Sequence, residues 1–486
     1  MRQTLLSLGL PVLLLLLLGI EYHELLLAPD QVQTEPLWYW LMSLLSVGVI
    51  LFWPSQEPRF AQRLASYHRP LKWVSYLSFA LLAGLFCYCF ADFVERFPLS
   101  EIYSELLENT RTQAERVSLG LDPYFKVDQI WNGVYPVYMA GKWLVYAPSY
   151  FLSIDLRWMD VCMPLLGLGL LWHRSAKQGP YACLLLLASL LPLAWLGHYL
   201  LFANTWFLRA SGEGISLGWY LLLVWGLLER RYTWQGFVIV MILLSRPGLV
   251  CWLPVWTFCL WRYDGRAAFY RLLVGLIVSL SIFLILPFRW SGLSYFSDWP
   301  QAYLEYAKTY LHPDRQAWFI NVPAYALRFG ADRLGWLLGL QIGLGSLMSL
   351  GVIGLWKRFV GRKRSLPLVG VLSLKLCLLF YVIFHLTPFQ DFFIIVSVLS
   401  IVLFWQIASP AFRGQSFSEA VSLPRLQLSS GQRKNLLLAA SLLLLVTLEV
   451  LCNTRFISAP FTANFRWASA LYFAAGLGIV ALILIR

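Results

Sequence analysis

Residues 91–136, ADFVERFPLSEIYSELLENTRTQAERVSLGLDPYFKVDQIWNGVYP, hold eight of the chain's 25 acidic residues against four lysines and arginines. Strongly apolar sequence flanks the segment on both sides. Charge is costly at a bilayer centre, so these carboxylates must meet an aqueous face or line a wet cavity. Asp92 stands where the apolar run ends and Glu95 follows about one helical turn later. Glu101, Glu105 and Glu108 are spaced to share one face of a helix lying along the membrane surface. Glu105, Glu108 and Glu115 read as an ordinary solvated face. Asp92 and Glu101 bracket the exit from lipid. A carboxylate half-shielded there would hold its proton more tightly, which suits a general base.

A second chemical signal is Arg246, at the tip of the otherwise apolar hairpin LLSRPGLVCWLPVW. An arginine left at the bilayer centre costs about 2.5–3.5 kcal/mol, so something must compensate it. The partner is either an internal carbonyl or carboxylate, or a phosphate gripped through two parallel hydrogen bonds. Arg209 and Glu213 lie at the outer ends of two successive spans, as an ion pair or as walls of the same cavity. His385, in IFHLTPFQDFF, is a satisfied interfacial group or a phosphate contact; His198 and His312 are weaker candidates. The loop FRWSGLSYFSDWPQAYLEYAKTYLHPDRQAWFIN is rich in Trp and Tyr, which anchor at interfaces and also offer flat faces to sugars.

Other chemistries lack their residues. There is no Walker loop, GxSxG elbow, HExxH, haem motif or DxD cluster. No metal ligands are assigned and no cofactor is expected, with a divalent metal left open. The eight cysteines form no CxxC and read as small buried hydrophobes.

The elements that must position these groups are membrane helices. The chain is 59% hydrophobic and 13% charged, which excludes a soluble domain and a disordered chain. Its net charge of +13 comes from bases in short loops, the positive-inside pattern, and no nucleic-acid partner is implied. Loops at 55–72, 173–180, 229–233, 262–271, 357–365 and 409–435 are placed in the cytoplasm. Loops at 21–36, 92–135, 204–213, 289–333, 387–391 and 452–466 are placed outside. Spans are expected near 5–20, 37–54, 73–91, 158–172, 181–203, 214–228, 269–288, 334–356, 366–386, 391–408, 436–451 and 467–485. The first is read as an uncleaved helix. Residues 136–156 are too broken for a crossing and read as interfacial or re-entrant. Residues 233–261 read as a hairpin of two short helices with Arg246 at its apex. The expectation is an all-α, polytopic integral membrane protein of about 12–14 membrane segments. Residues 1–72 give two helices and a basic loop, 73–408 a catalytic core with outer loops 92–135 and 289–333, 409–435 a cytoplasmic linker, and 436–486 the last helices.

The order of these features resembles the GT-C superfamily of membrane glycosyltransferases, and most nearly glycosyltransferase family 87. The matching features are Glu101, Tyr103, the turn Gly120-Leu121-Asp122-Pro123-Tyr124, and Tyr135-Pro136 opening the next membrane segment. Then come LRASGEGISLGWYLLLVWGLLERR, the Arg246 hairpin and FINVPAYALRF with Asn321. The resemblance covers roughly residues 73–405 and rests on order and spacing. The chain departs from the pattern with Glu213 where glutamine is common and Val137 where a second proline often follows. Two helices also precede the family-like core, and the segment between Tyr103 and Gly120 is longer than usual.

The resemblance implies inverting transfer of a mannose-like hexose or a pentose from a polyprenyl-phosphate donor to a glycan or lipid acceptor. The reaction would take place at the outer face of an inner (plasma) membrane. Glu101 or Asp92 would be the base, with Glu95 also open. Arg246, His385 and Arg209 would meet the donor phosphate. Tyr103, Asp122, Tyr124, Tyr135, Glu213 and Asn321 would line the substrate site. The partners implied are the lipid-linked donor, the acceptor and membrane lipids. The alternatives are a lipid-linked glycan polymerase or ligase, a transporter or flippase, and a non-catalytic scaffold.

Overall fold

A computed structural model describes residues 12–19, 36–52, 64–99, 105–124, 127, 139–203, 205, 207–291, 333–359, 366–383 and 391–408. Among them the regular structure is all helical. After a helical stretch at 12–19, the α-helices in chain order are α1 (Pro36–Phe52), α2 (His68–Arg96), α3 (Glu105–Ser118), α4 (Ala140–Phe151), α5 (Arg157–Ala176), α6 (Pro180–Ala188), α7 (Leu190–His198) and α8 (Glu213–Leu228). They continue as α9 (Tyr232–Leu243), α10 (Leu253–Cys259), α11 (Arg266–Ser291), α12 (Leu334–Phe359), α13 (Leu366–Ile383) and α14 (Asp391–Gln406). Four helical stretches are long and apolar enough to cross a membrane: Ala65–Arg96, Pro180–Phe202, Arg266–Phe283 and Gly335–Gly354. Helices α8, α9, α13 and α14 are apolar but shorter.

Helix α2 shows how composition becomes placement. Leu77, Leu81, Leu85 and Tyr88 form an exposed stripe at helical spacing, while Phe90 and Phe93 turn inward. An exposed apolar stripe along a whole helix is the surface expected to face lipid rather than water. The buried face packs antiparallel on α5, with Phe79 on Trp172 near one end and Phe90 edge-on to Trp158 near the other.

Small residues let the inner helices approach closely. Helices α5 and α8 run parallel, and a Cβ on Gly214 would sit 2.1 Å from the Asp160 carbonyl oxygen. A Cβ on Gly218 would lie 2.6 Å from Met163 Cβ, so this Gly-x-x-x-Gly face seats α5 directly. Gly236 and Gly275 do the same for α9 against α11, where a Cβ on Gly275 would meet the Thr233 carbonyl at 2.2 Å.

Two interrupted regions are described in part. Among the described residues of 136–156 the helix is the 12-residue α4, mostly buried and too short to cross a bilayer as a helix. Helix α9, a 3-10 turn at Pro247–Cys251 and α10 make the hairpin, with Arg246 in extended backbone at its apex. Span 73–91 begins earlier, at His68. The expected spans at 436–451 and 467–485 lie outside the described residues.

Candidate functional site

The residues with the most constrained chemistry meet where α4, α8 and the α9–α10 hairpin converge. Glu213 opens α8 directly after Gly212, whose φ of +59° is left-handed. A Cβ at Gly212 would also lie 2.8 Å from the Tyr146 hydroxyl, so this turn needs glycine on two counts. The Glu213 amide donates to Ser211 Oγ at 3.2 Å, which closes the turn.

Glu213 Oε1 accepts from Lys142 Nζ at 2.9 Å and from Arg246 Nε at 3.1 Å, and a second Arg246 nitrogen also donates to it. Lys142 Nζ lies 3.4 Å from the Ser211 carbonyl oxygen as well. Both cations therefore share one carboxylate oxygen, while Oε2 is buried without a hydrogen bond among the described residues. The side chains of Lys142 and Glu213 are each 1% exposed, and that of Arg246 is 14% exposed. Arg246 is thus the member that an anion arriving from outside the cluster can reach.

A second buried acid holds the frame. Asp160, on the first turn of α5, accepts from the Tyr146 hydroxyl at 2.7 Å and from the Ile215 amide at 3.1 Å. The first amides of a helix have no partner within it, so this carboxylate acts as a cap lent to α8 by another helix. Helix α4 is fixed from two further sides. A Cβ on Gly141 would meet the Met241 carbonyl at 2.1 Å, and Trp219 Nε1 donates to the Gly141 carbonyl at 2.9 Å.

Helix α3 covers this region. Leu107 packs against the Gly212 turn, and Asn109, Thr110 and Gln113 are buried beneath the helix. The helix ends as a Schellman turn: the Leu121 amide bonds to the Arg116 carbonyl at 2.7 Å and the Gly120 amide to the Val117 carbonyl at 3.1 Å. Gly120, at φ +71°, is the glycine this ending requires. Asp122 then accepts from the Tyr124 amide at 2.8 Å, and the buried Tyr124 hydroxyl accepts from Trp143 Nε1 at 3.4 Å. Burial raises the proton affinity of the Asp122 carboxyl above its usual value, against the Tyr124 amide and Arg116, which both lower it. The Gly-x-x-Pro-Tyr turn thus anchors α3 to α4.

Several expectations change here. Glu213 pairs with Lys142 and Arg246, not with Arg209, whose guanidinium lies 4.9 Å over the Phe97 ring. Glu108 does not lie on a solvated face: it is buried and pairs with Arg111 at 3.0 Å, because α3 turns that side toward the protein. Asp92 sits on the exposed face of α2, opposite Phe90 and Phe93, and pairs with Arg96. Arg246 takes the internal carboxylate as its partner. Glu101, Tyr103, Tyr135, Asn321 and His385 lie outside the described residues.

Three residues carry more than sequence reading gave them. Lys142 looked only like an interruption of an apolar stretch, although an intramembrane lysine signals a partner. Asp160 falls near the start of the expected span 158–172, where sequence alone gives it no role. Arg157 is fully buried, grips Asp155 through Nε at 2.9 Å and Nη2 at 2.7 Å, and donates to the carbonyls of Val94 and Phe97 at the end of α2. No protein-family model matches the chain, and no curated protein or solved structure matches it. Among the described residues no group of His, Cys, Asp and Glu is arranged to hold a metal ion.

Proposed function

We propose that the chain is a polytopic membrane glycosyltransferase that uses a polyprenyl-phosphate sugar at the outer face. One observation carries the reading. Two cations from separate elements, Lys142 and Arg246, converge on a buried carboxylate beneath the polar helix α3, and Arg246 keeps an accessible edge. Such a cluster suits a lipid phosphate, a leaving group that needs cationic side chains more than a metal.

In the proposed reaction an acceptor hydroxyl gives its proton to a carboxylate, and its oxygen bonds to the anomeric carbon from the face opposite the phosphate. The sugar–phosphate C–O bond breaks, its electron pair leaves on the phosphate, and configuration inverts. Arg246 stabilises the departing charge with Lys142 behind it, and positioning of the two substrates supplies much of the rate. The base is assigned to Glu101. Asp92 is the weaker candidate because it faces outward and is engaged by Arg96.

A transporter or flippase is the competing reading. The helices next to the cluster are interrupted, with π turns at Tyr199–Ala203 and Phe207–Ser211. Interrupted helices beside buried charge also serve transport. The two readings part in detergent, where no compartments exist. Transfer of labelled sugar from a polyprenyl-phosphate donor by solubilised protein supports the enzyme. Movement of a fluorescent polyprenyl phosphate across vesicles, with no transfer in detergent, would replace it with the transporter.

A further inference from the structure

At the opposite end of α2 and α5 lies a cationic cluster that the proposed reaction does not use. His68 Nε2 lies 3.0 Å from the Ala176 carbonyl, tying the start of α2 to the end of α5. Two turns along α2, the Tyr76 hydroxyl lies 2.8 Å from His173 Nδ1, with the two rings stacked at 5.8 Å. Lys72 Nζ lies 5.7 Å from the centre of the Tyr76 ring, and Trp73 packs edge-on to that ring. The charges of Lys72 and Lys177 both bear on His173. His173 and Lys177 are exposed, one turn apart on the same face of α5.

This cluster is not neutralised from within. Among the described residues no carboxylate pairs with Arg69, Lys72 or Lys177. Arg174, between them on the inward side of α5, is paired with Glu229 at 2.8 Å and bonded to Gln406 at 2.9 Å. The protein compensates the inward base and leaves the outward ones open.

The cluster also sits at the head of an apolar track. Below it on α2 lie Trp73, Leu77, Leu81 and Leu85, all more than half exposed. On α5 the same side continues from Lys177 and His173 to Leu166, which is 52% exposed. Between them Gly169 leaves a shallow floor, where an added Cβ would touch only Phe79, at 3.7 Å. Cations and aromatic groups at a membrane boundary above an exposed apolar groove match an anionic lipid in both headgroup and chain.

We propose that this α2–α5 end binds an anionic phospholipid of the cytoplasmic leaflet. The phosphate sits among Lys72, His173 and Lys177, and an acyl chain lies along Leu77, Leu81 and Leu166. The site is independent of the proposed transferase reaction.

The test uses the full chain in detergent–lipid micelles, with retained lipid measured by native mass spectrometry. Phosphatidylglycerol and phosphatidylcholine of identical acyl chains are offered in equal amounts. The wild type is expected to retain the anionic lipid preferentially and to melt at a higher temperature in its presence. Lys72→Ala/Lys177→Ala should lose that preference by roughly thirtyfold, at about 1 kcal/mol for each surface cation. Arg262→Ala/Arg266→Ala, an equal charge change at another basic loop, should keep it. Leu166→Trp should weaken retention with charge unchanged. Equal retention of both lipids by the wild type, or equal loss in the two double variants, would overturn the proposal. So would thermal protection by inorganic phosphate equal to that by phosphatidylglycerol, since the acyl track would then play no part.

Discussion

Lys142 and Glu213, 71 positions apart, meet at 2.9 Å with both side chains buried. This contact ties the short helix α4 to the first turn of α8. Buried ion pairs add little net stability, but removing one partner leaves an uncompensated charge at a cost of about 3–5 kcal/mol. Glu213→Gln strands two cations at once, so it is expected to lower the melting temperature markedly in detergent. Adding Lys142→Met to that variant should recover part of the loss. A double-mutant thermal series measures both effects, and independent, additive losses would show that the pair is not coupled.

Glycine should matter only where helices touch. Gly214→Ala would drive a methyl group into the Asp160 carbonyl at 2.1 Å and disturb the cap that Asp160 gives to α8. Destabilisation of at least about 1–3 kcal/mol is expected. Gly84→Ala is the contrasting change, because nothing lies within 4 Å of its Cβ position on the exposed face of α2. It should be neutral or stabilise by up to about 1 kcal/mol. Parallel melting curves of the two variants give the comparison.

Asp122 gives a pH-dependent signature. Its folded carboxyl holds its proton more tightly than the unfolded one, chiefly through burial. The folded state therefore binds more protons, and stability falls as pH rises from roughly 4 through the raised value. Asp122→Asn keeps an acceptor for the Tyr124 amide and removes the titration, so its stability profile should be flatter over that interval. Asp122→Ala also removes the turn hydrogen bond and should lose about 1 kcal/mol at every pH. Unfolding curves at a series of pH values distinguish the three proteins.

Legibility in the sequence followed the range of the interactions. Helical class, the short α4 and the hairpin around Arg246 were readable because apolar run length, Pro148 and the Ser245-Arg246-Pro247-Gly248 break act locally. That Arg246 needed a partner was also readable, since burial of a lone guanidinium is costly. The identity of the partner was not, because Glu213 had a nearer candidate in Arg209. The choice depends on Gly212 turning the start of α8 toward α4, and no local pattern announces that turn. Lys142 and Asp160 were hidden for a similar reason. Lys142 stands alone in apolar sequence, Asp160 follows Asp155 and Arg157 without signalling a partner, and the partners Glu213 and Ile215 become near only through contacts between helices. Glu108 was misplaced because helical spacing shows that acids share a face but not which way the face turns.

The central proposal is that Arg246 meets the phosphate of a lipid-linked sugar donor and Glu101 takes the proton of the acceptor. The most direct measurement is transfer of radiolabelled hexose or pentose from a polyprenyl-phosphate donor by the purified protein in detergent. Wild type, Asp92→Asn, Glu101→Gln and Arg246→Met would be compared, with folding of each confirmed by its melting curve. The account predicts transfer by the wild type, retention of that activity in Asp92→Asn, and a loss of about a hundredfold or more in Glu101→Gln. Arg246→Met should lose activity on a similar scale through the departing phosphate. No transfer by the wild type from either donor class, or undiminished transfer by folded Glu101→Gln and Arg246→Met, would contradict it.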